Sequence, residues 1–320
     1  MPGRHLGWIA LTLACCGLFT GLLWPGLGRA MDKGEIRQRL EKHLQYLSVE
    51  VGDRSIYRPE NLKAAEDYVA RELESLGYPV RRQPFICQRM EVANVIAGNP
   101  DPEGYYLLGA HFDTVSGTPG ADDNASGVAV LLEVARLARE APMPKPWAFV
   151  GFTTEEPPVY FTPYMGSRVY AKRARKGREN ILGMLCLESV GYFRNEPNSQ
   201  YIPLSLKLMG YSTTGNYLGI VGNWSSRPLV QGLERAMKAG CSLPLATLAA
   251  PMVGALVPEA RMSDHANFWD EGYQAVMLTD TAFLRNPNYH NAGDTIDTLD
   301  LDAMVELTLG LAHFVREAGK

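Results

Sequence analysis

The sequence predicts an α/β fold, a three-layer sandwich around a mostly parallel, doubly wound sheet, and three observations carry that expectation. Short apolar runs take turns with segments of helical periodicity. The runs Trp147 to Phe152, Met184 to Leu187 and Ala275 to Leu278 are continuously apolar, as strands covered on both faces require. Acidic residues and histidines gather directly after these runs, where functional groups of such sheets stand. With 320 residues and 46% apolar content, the chain can bury one large core.

The N-terminus differs in kind. Leu6 to Trp24 carries no charge over 19 residues, comes after Arg4 and His5, and precedes the small-residue pattern Gly28-Arg29-Ala30. Residues 1–30 therefore read as an export signal, either cleaved after Ala30 or retained as a membrane anchor, with the catalytic part (31–320) outside the cytoplasm: periplasmic, secreted or membrane-tethered. Beyond it remain Cys87, Cys186 and Cys241, an odd number, so disulfides do not define the fold. The formal charge of −4 makes no electrostatic case for nucleic acid as a partner.

From Pro59 to Leu76 the positions Leu62, Ala65, Val69, Leu73 and Leu76 trace one helical face, and Gly77 sits where a C-terminal cap belongs. Val92 to Ala97 and Tyr105 to Ala110 read as strands, and Ser126 to Glu140 as a helix. Further helices are expected at Gly166 to Arg175, Leu229 to Ala239 and Leu301 to Glu317. The stretch 195–262, rich in Gly, Pro, Ser and Thr, reads as a cap-like insertion within a single domain.

Just past the ends of the expected strands stand His111, Asp113, Asp122 and Asp123, then Glu155 and Glu156, then Glu188, then Asp280, His290 and Asp294, all at one rim of the sheet. So many acids in one crevice repel one another unless cations neutralise them. Imidazole with carboxylate is a ligand set that zinc accepts, and manganese or cobalt suit it too. His111, Asp123, Glu156, Glu188 and His290 supply five ligands where a single catalytic zinc needs three, so two ions sharing one carboxylate fit better than one.

The motifs "GAHFDT", "PGADDNASGVAVLLE", "TTEEPP", "LESVGY", "MSDHANFW" and "NPNYHNAGDTIDTLD" resemble, in order, those of the co-catalytic zinc peptidase family that includes secreted aminopeptidases, glutamate carboxypeptidase and glutaminyl cyclases. That resemblance implies that His111 and Glu188 bind one zinc, Glu156 and His290 the other, and Asp123 both. It implies further that Glu155 is the general base, that Tyr289 donates to the tetrahedral oxygen, and that the Asp123–Asn124 peptide bond is cis. Asp113 is expected to orient His111 through the second imidazole N–H. Two departures stand out: Glu188 occupies a position where many relatives carry Asp, and the loop "PPVYFTPYM" is longer than usual and is expected to border the substrate pocket.

Plainer readings exist: Asp264 and His265 as a helix cap, Tyr289 as a core aromatic, Cys186 as packing. For the whole chain the resemblance implies a peptide-cleaving exopeptidase, most simply an aminopeptidase. The alternatives are a one-zinc glutaminyl cyclase and a non-enzymatic receptor or scaffold.

Overall fold

The computed structural model describes residues 32–203, 207, 210–251 and 257–319. The N-terminal segment 1–30 lies outside the described residues. No described helix is long and apolar enough to cross a membrane. Asp32–Lys320 forms one compact unit.

The chain opens with α1 (Lys33–Leu44), capped by the Asp32 carboxylate on the amides of Gly34 and Glu35. α2 (Pro59–Ser75) begins with proline, whose missing N–H costs nothing there, and ends at Gly77, with φ of 78°. Next come β1 (Val80–Cys87), β2 (Met90–Ala97), β3 (Tyr105–His111), α3 (Gly127–Arg139), β4 (Trp147–Phe152), α4 (Gly166–Gly177) and β5 (Ile181–Glu188). The second half adds β6 (Leu218–Asn223), α5 (Arg227–Gly240), β7 (Leu245–Ala250), α6 (His265–Asp270), β8 (Ala275–Thr279) and α7 (Leu301–Glu317).

All eight strands join one sheet in the order β1-β2-β4-β3-β5-β8-β6-β7. Its centre, β4-β3-β5-β8, is parallel, and these are the strands whose sequences are continuously apolar. The flanks are mixed: β1, β2 and β4 pair antiparallel, β6 runs antiparallel to β8, and β7 runs parallel to β6. On one face Tyr105, Leu107, Val150, Phe152 and Met184 pack with Tyr170 of α4 and Phe268 of α6. α1, α3, α5 and α7 pack against one another to form a helical layer.

The stretch 195–262, expected as a cap-like insertion, takes part in the sheet through its described residues. It holds β6, α5 and β7, which extend the central sheet by two strands. The runs "LGIVGN" and "LATLAA" are rich in Gly and Ala, so they carry little strand signal; β6 is nevertheless buried along most of its length, and β7 pairs with it as a half-exposed edge strand.

The cysteines at 87, 186 and 241 are free. Asp264 does not cap α6.

Candidate metal centre

Parallel strands deliver their last residues to one edge, and that edge carries the site. His111 ends β3, Glu188 ends β5, and Glu155 and Glu156 lie just beyond β4. Asp123 lies in the turn 121–126 leading into α3, and His290 lies in the loop after β8. The Asp123–Asn124 bond is cis. Three non-glycine residues here adopt left-handed backbone: Thr154 (φ 56°), Ser189 (φ 46°) and His290 (φ 60°). For a β-branched threonine this conformation is a true outlier, and such outliers gather at functional sites.

The five expected ligands come together. His111 Nε2 lies 3.4 Å from Asp123 Oδ1 and 3.3 Å from Glu188 Oε2. His290 Nε2 lies 3.1 Å from Asp123 Oδ2 and 3.4 Å from Glu156 Oε2. Asp123 thus turns one oxygen to each of two imidazole–carboxylate pairs. Neither Nε2, nor Asp123 Oδ1 or Glu156 Oε1, makes a hydrogen bond, although all are buried. A tetrahedral ion with bonds of about 2.0–2.1 Å has donor-to-donor edges of about 3.3–3.4 Å. The four imidazole-to-carboxylate distances therefore match the spacing a zinc-sized cation requires, and His111, Asp123 and Glu156 form a compact ligand group.

Electrostatics agree. Burial opposes a charge on His111, but the carboxylates of Glu188, Asp113 and Asp123 overrule it and hold the imidazole well above its usual range. His290 rises to about 10, burial again being outweighed by Asp123 and Glu156. Glu156 is pushed up to about 8 by burial and then by the charge of Asp123. Burial likewise raises Glu155, which sits beside these acids.

Two further carboxylates hold the turns that bear the ligands. Asp113 accepts the amides of Glu155 at 3.1 Å and Glu156 at 3.0 Å, and Asp294 accepts those of Asp122 at 2.8 Å and Asp123 at 3.0 Å. Asp113 also faces His111 Nδ1, with its backbone carbonyl at 3.2 Å and its carboxylate at 3.6 Å, so one residue meets both the imidazole and the two amides. A two-oxygen acceptor matches two consecutive N–H groups better than one ring nitrogen.

Asp122 accepts from the Gly191 amide and the Asn286 side chain, and Asp280 from the amides of Tyr192 and Ala282. Glu188 is fixed by the Ser263 hydroxyl at 2.7 Å. Ser263 lies in the motif "MSDHANFW", but its contact with Glu188, 75 positions away, has no sequence signal of its own.

The Tyr289 ring stacks on His290, centroids 3.7 Å apart at 18°. Burial raises its hydroxyl pKa, as do the charges of Asp123 and Glu188. Beside Glu188 and Tyr289 opens a cavity of about 110 Å³ walled by Tyr201, Tyr217, Leu248 and Met277 among others. Its wall comes from residues 200–203, 211–221, 246–248, 257–262 and 277–289. The loop 157–165 turns on Glu156, whose carbonyl accepts the amides of Val159 and Tyr160, and it brings the Tyr160 hydroxyl under the influence of Glu155, Glu188 and Glu156.

The sequence profile of Peptidase family M28 matches residues 92–315. Among curated proteins, one from Escherichia coli (strain K12), called Uncharacterized protein YfbL, is 32% identical over 283 residues, 86% of each chain. A Probable leucine aminopeptidase of Arthroderma otae is 26% identical over 265 residues; the match covers 78% of this chain and 63% of the fungal protein's length. Among solved structures, the LapA aminopeptidase of Legionella pneumophila superposes with a TM-score of 0.70 at 19% identity, covering 90% of this chain and 74% of LapA. The glutaminyl cyclase of Fimbriiglobus ruber gives 0.64 at 19% identity, covering 90% and 96%. Both structures share the fold.

Proposed function

The chain belongs to peptidase family M28, and from that premise we propose that it is an aminopeptidase that uses two metal ions to hydrolyse N-terminal peptide bonds. One observation carries the two-ion reading: Asp123 faces two separate imidazole–carboxylate pairs, one with each oxygen. A one-zinc cyclase has no use for a complete second pair.

His111, Glu188 and Asp123 would hold one ion, and Glu156, His290 and Asp123 the other, with zinc the family's metal and manganese or cobalt as substitutes. Bound there, the metals supply Lewis-acid polarisation of the scissile carbonyl and make water acidic enough to lose a proton near neutral pH. Glu155 takes that proton as water attacks, and returns it to the leaving amine. Burial and the neighbouring acids raise its pKa in the metal-free site, and cations held there would lower it again toward the ionised form that accepts a proton. Tyr289 donates to the oxygen that gains charge. Asp113 keeps Glu155 and Glu156 side by side through their amides.

Recognition is set by the surroundings. The acid-rich edge favours a cationic α-amine over a carboxylate at the substrate terminus. The adjoining cavity suits a branched aliphatic or aromatic side chain, since apolar cavities of roughly 150 Å³ take benzene. The uncharged segment Leu6 to Trp24 supports export, with the catalytic unit outside the cytoplasm and a membrane tether if the segment is retained.

The test compares zinc-loaded protein on leucyl, glutamyl and N-acetyl-leucyl p-nitroanilides and on a glutaminyl peptide. Rapid release from the free leucyl compound is expected, with little from the acidic or blocked ones. Ammonia release from the glutaminyl peptide without p-nitroaniline release would establish the cyclase instead.

A further inference from the structure

Outside the site, the least expected buried group is Arg54, a large side chain with no solvent exposure. Burying a guanidinium is costly unless its donors are matched. Here its hydrogen bonds go to five backbone carbonyls, while the carboxylates of Asp294, Asp113, Asp123 and Asp53 lie near enough to favour its charge. Nε donates to the Phe112 carbonyl at 2.9 Å and Nη2 to that of Gly120 at 2.9 Å. Nη1 donates to Leu47 at 2.7 Å, Gly52 at 2.9 Å and Pro119 at 2.7 Å. Burial lowers its pKa to about 10, so it stays cationic at neutral pH.

The positions of those carbonyls matter. Phe112 comes directly after His111, and Gly120 stands three residues before Asp123, so one planar fork grips both ends of the loop that separates two of the five ligand residues. The grip is doubled by the Arg54 amide on Thr114 Oγ1 at 3.0 Å and by Asp53 on the Gly117 amide at 2.8 Å. Gly120 has left-handed backbone, and a Cβ there would meet Asp123 O and Thr114 Cγ2 at 2.4 Å and Arg54 Nη2 at 2.9 Å. The loop closes tightly onto the guanidinium.

We infer that Arg54 is a positioning residue that sets the metal affinity of the centre, by fixing the loop 112–120 so that His111 and Asp123 are held at ligand spacing. It rests on the reading of these two residues as ligands. The sign of its effect separates this role from two others. A cation near the acids repels a divalent ion, so if charge alone mattered, removing it would tighten metal binding. If Arg54 served only the fold, the folded fraction of a variant would bind metal as the parent does. Loss of the fork loosens the ligand pair and weakens binding.

The experiment is zinc competition against a chelator with full-length parent, Arg54→Met and Arg54→Lys, at temperatures where circular dichroism shows each to be folded. Both variants are expected to bind zinc about tenfold more weakly or worse. Lys keeps the charge but cannot span both loop ends, and it decides the matter if Met fails to fold. Affinity within twofold of the parent, or tighter, in the folded variants overturns the inference. A parent that binds no zinc overturns the reading of the ligands instead.

Discussion

The centre has two halves made of the same chemistry, an imidazole and a carboxylate meeting across Asp123, yet they are sealed differently. Side chains of His111 and Glu188 expose 0% and 7% of their surface, whereas His290 exposes 31%. The inner half sits on the ends of β3 and β5, neighbours in the middle of the parallel sheet. The outer half combines the strand-end residue Glu156 with a histidine from a loop in left-handed backbone. The difference teaches where the site draws its precision. The inner half is fixed by sheet register and by Ser263, while the outer half depends on loop structure and on stacking with Tyr289. An ion in the outer half should therefore exchange first.

The largest expected effect abolishes the comparison altogether. Asp123→Asn removes the one charge both halves share, and a neutral amide holds two cations poorly. Both ions and all measurable turnover should be lost, as elemental analysis after dialysis would show; two retained ions would dismiss Asp123 as the bridge.

Glu155→Gln sharpens the comparison by sparing both halves. It removes the proton acceptor and leaves every ligand in place, so metal content should stay parental while kcat falls by about 10²–10⁴. Turnover within tenfold of the parent would remove Glu155 from the chemistry.

The halves are set against each other by Glu188→Ala and His290→Ala. Each should cost one ion and most activity, but the first also takes away one of the carboxylates paired with His111 in a sealed site. Breaking a buried pair typically costs about 3–5 kcal/mol, whereas a partly exposed one is cushioned by solvent. Glu188→Ala should thus lower the melting temperature clearly more than His290→Ala, and equal shifts would mean that the sealed and open halves are energetically alike. Glu188→Asp, which keeps the charge, should still hold two ions.

The same contrast explains how much is legible in the sequence. The central strands announce themselves because two-sided burial forces continuous apolar runs, and the residues just beyond them are the site; His111, Asp123, Glu155, Glu156, Glu188 and His290 all arrive together. β6 and β7 stay hidden because they are short and built of small residues in a stretch dominated by turn formers. For Asp113, sequence spacing shows proximity to an imidazole and not the direction of the carboxylate, which here faces two amides. Arg54 is invisible for a related reason: five backbone carbonyls leave no trace in side-chain identity.

The smallest effect tests the ring that covers the outer half. Tyr289 lies flat on His290, so its ring could matter only as packing, or its hydroxyl could serve the reaction. Tyr289→Phe separates the two, since the ring and its stacking are kept and only the oxygen is removed. On the packing reading, metal content, kcat and KM all stay parental. On the donor reading, metal content and melting temperature stay parental while kcat falls by about a hundredfold, in line with the loss of one donor to a developing oxyanion, and KM changes little because the ground-state carbonyl binds the donor weakly. The split between kcat and KM carries the result, because a general loosening of the outer half would raise KM and release metal along with lowering the rate. A parental kcat in a fully metal-loaded Tyr289→Phe protein would return Tyr289 to the status of a lid over His290 and leave the carbonyl oxygen to the metals alone.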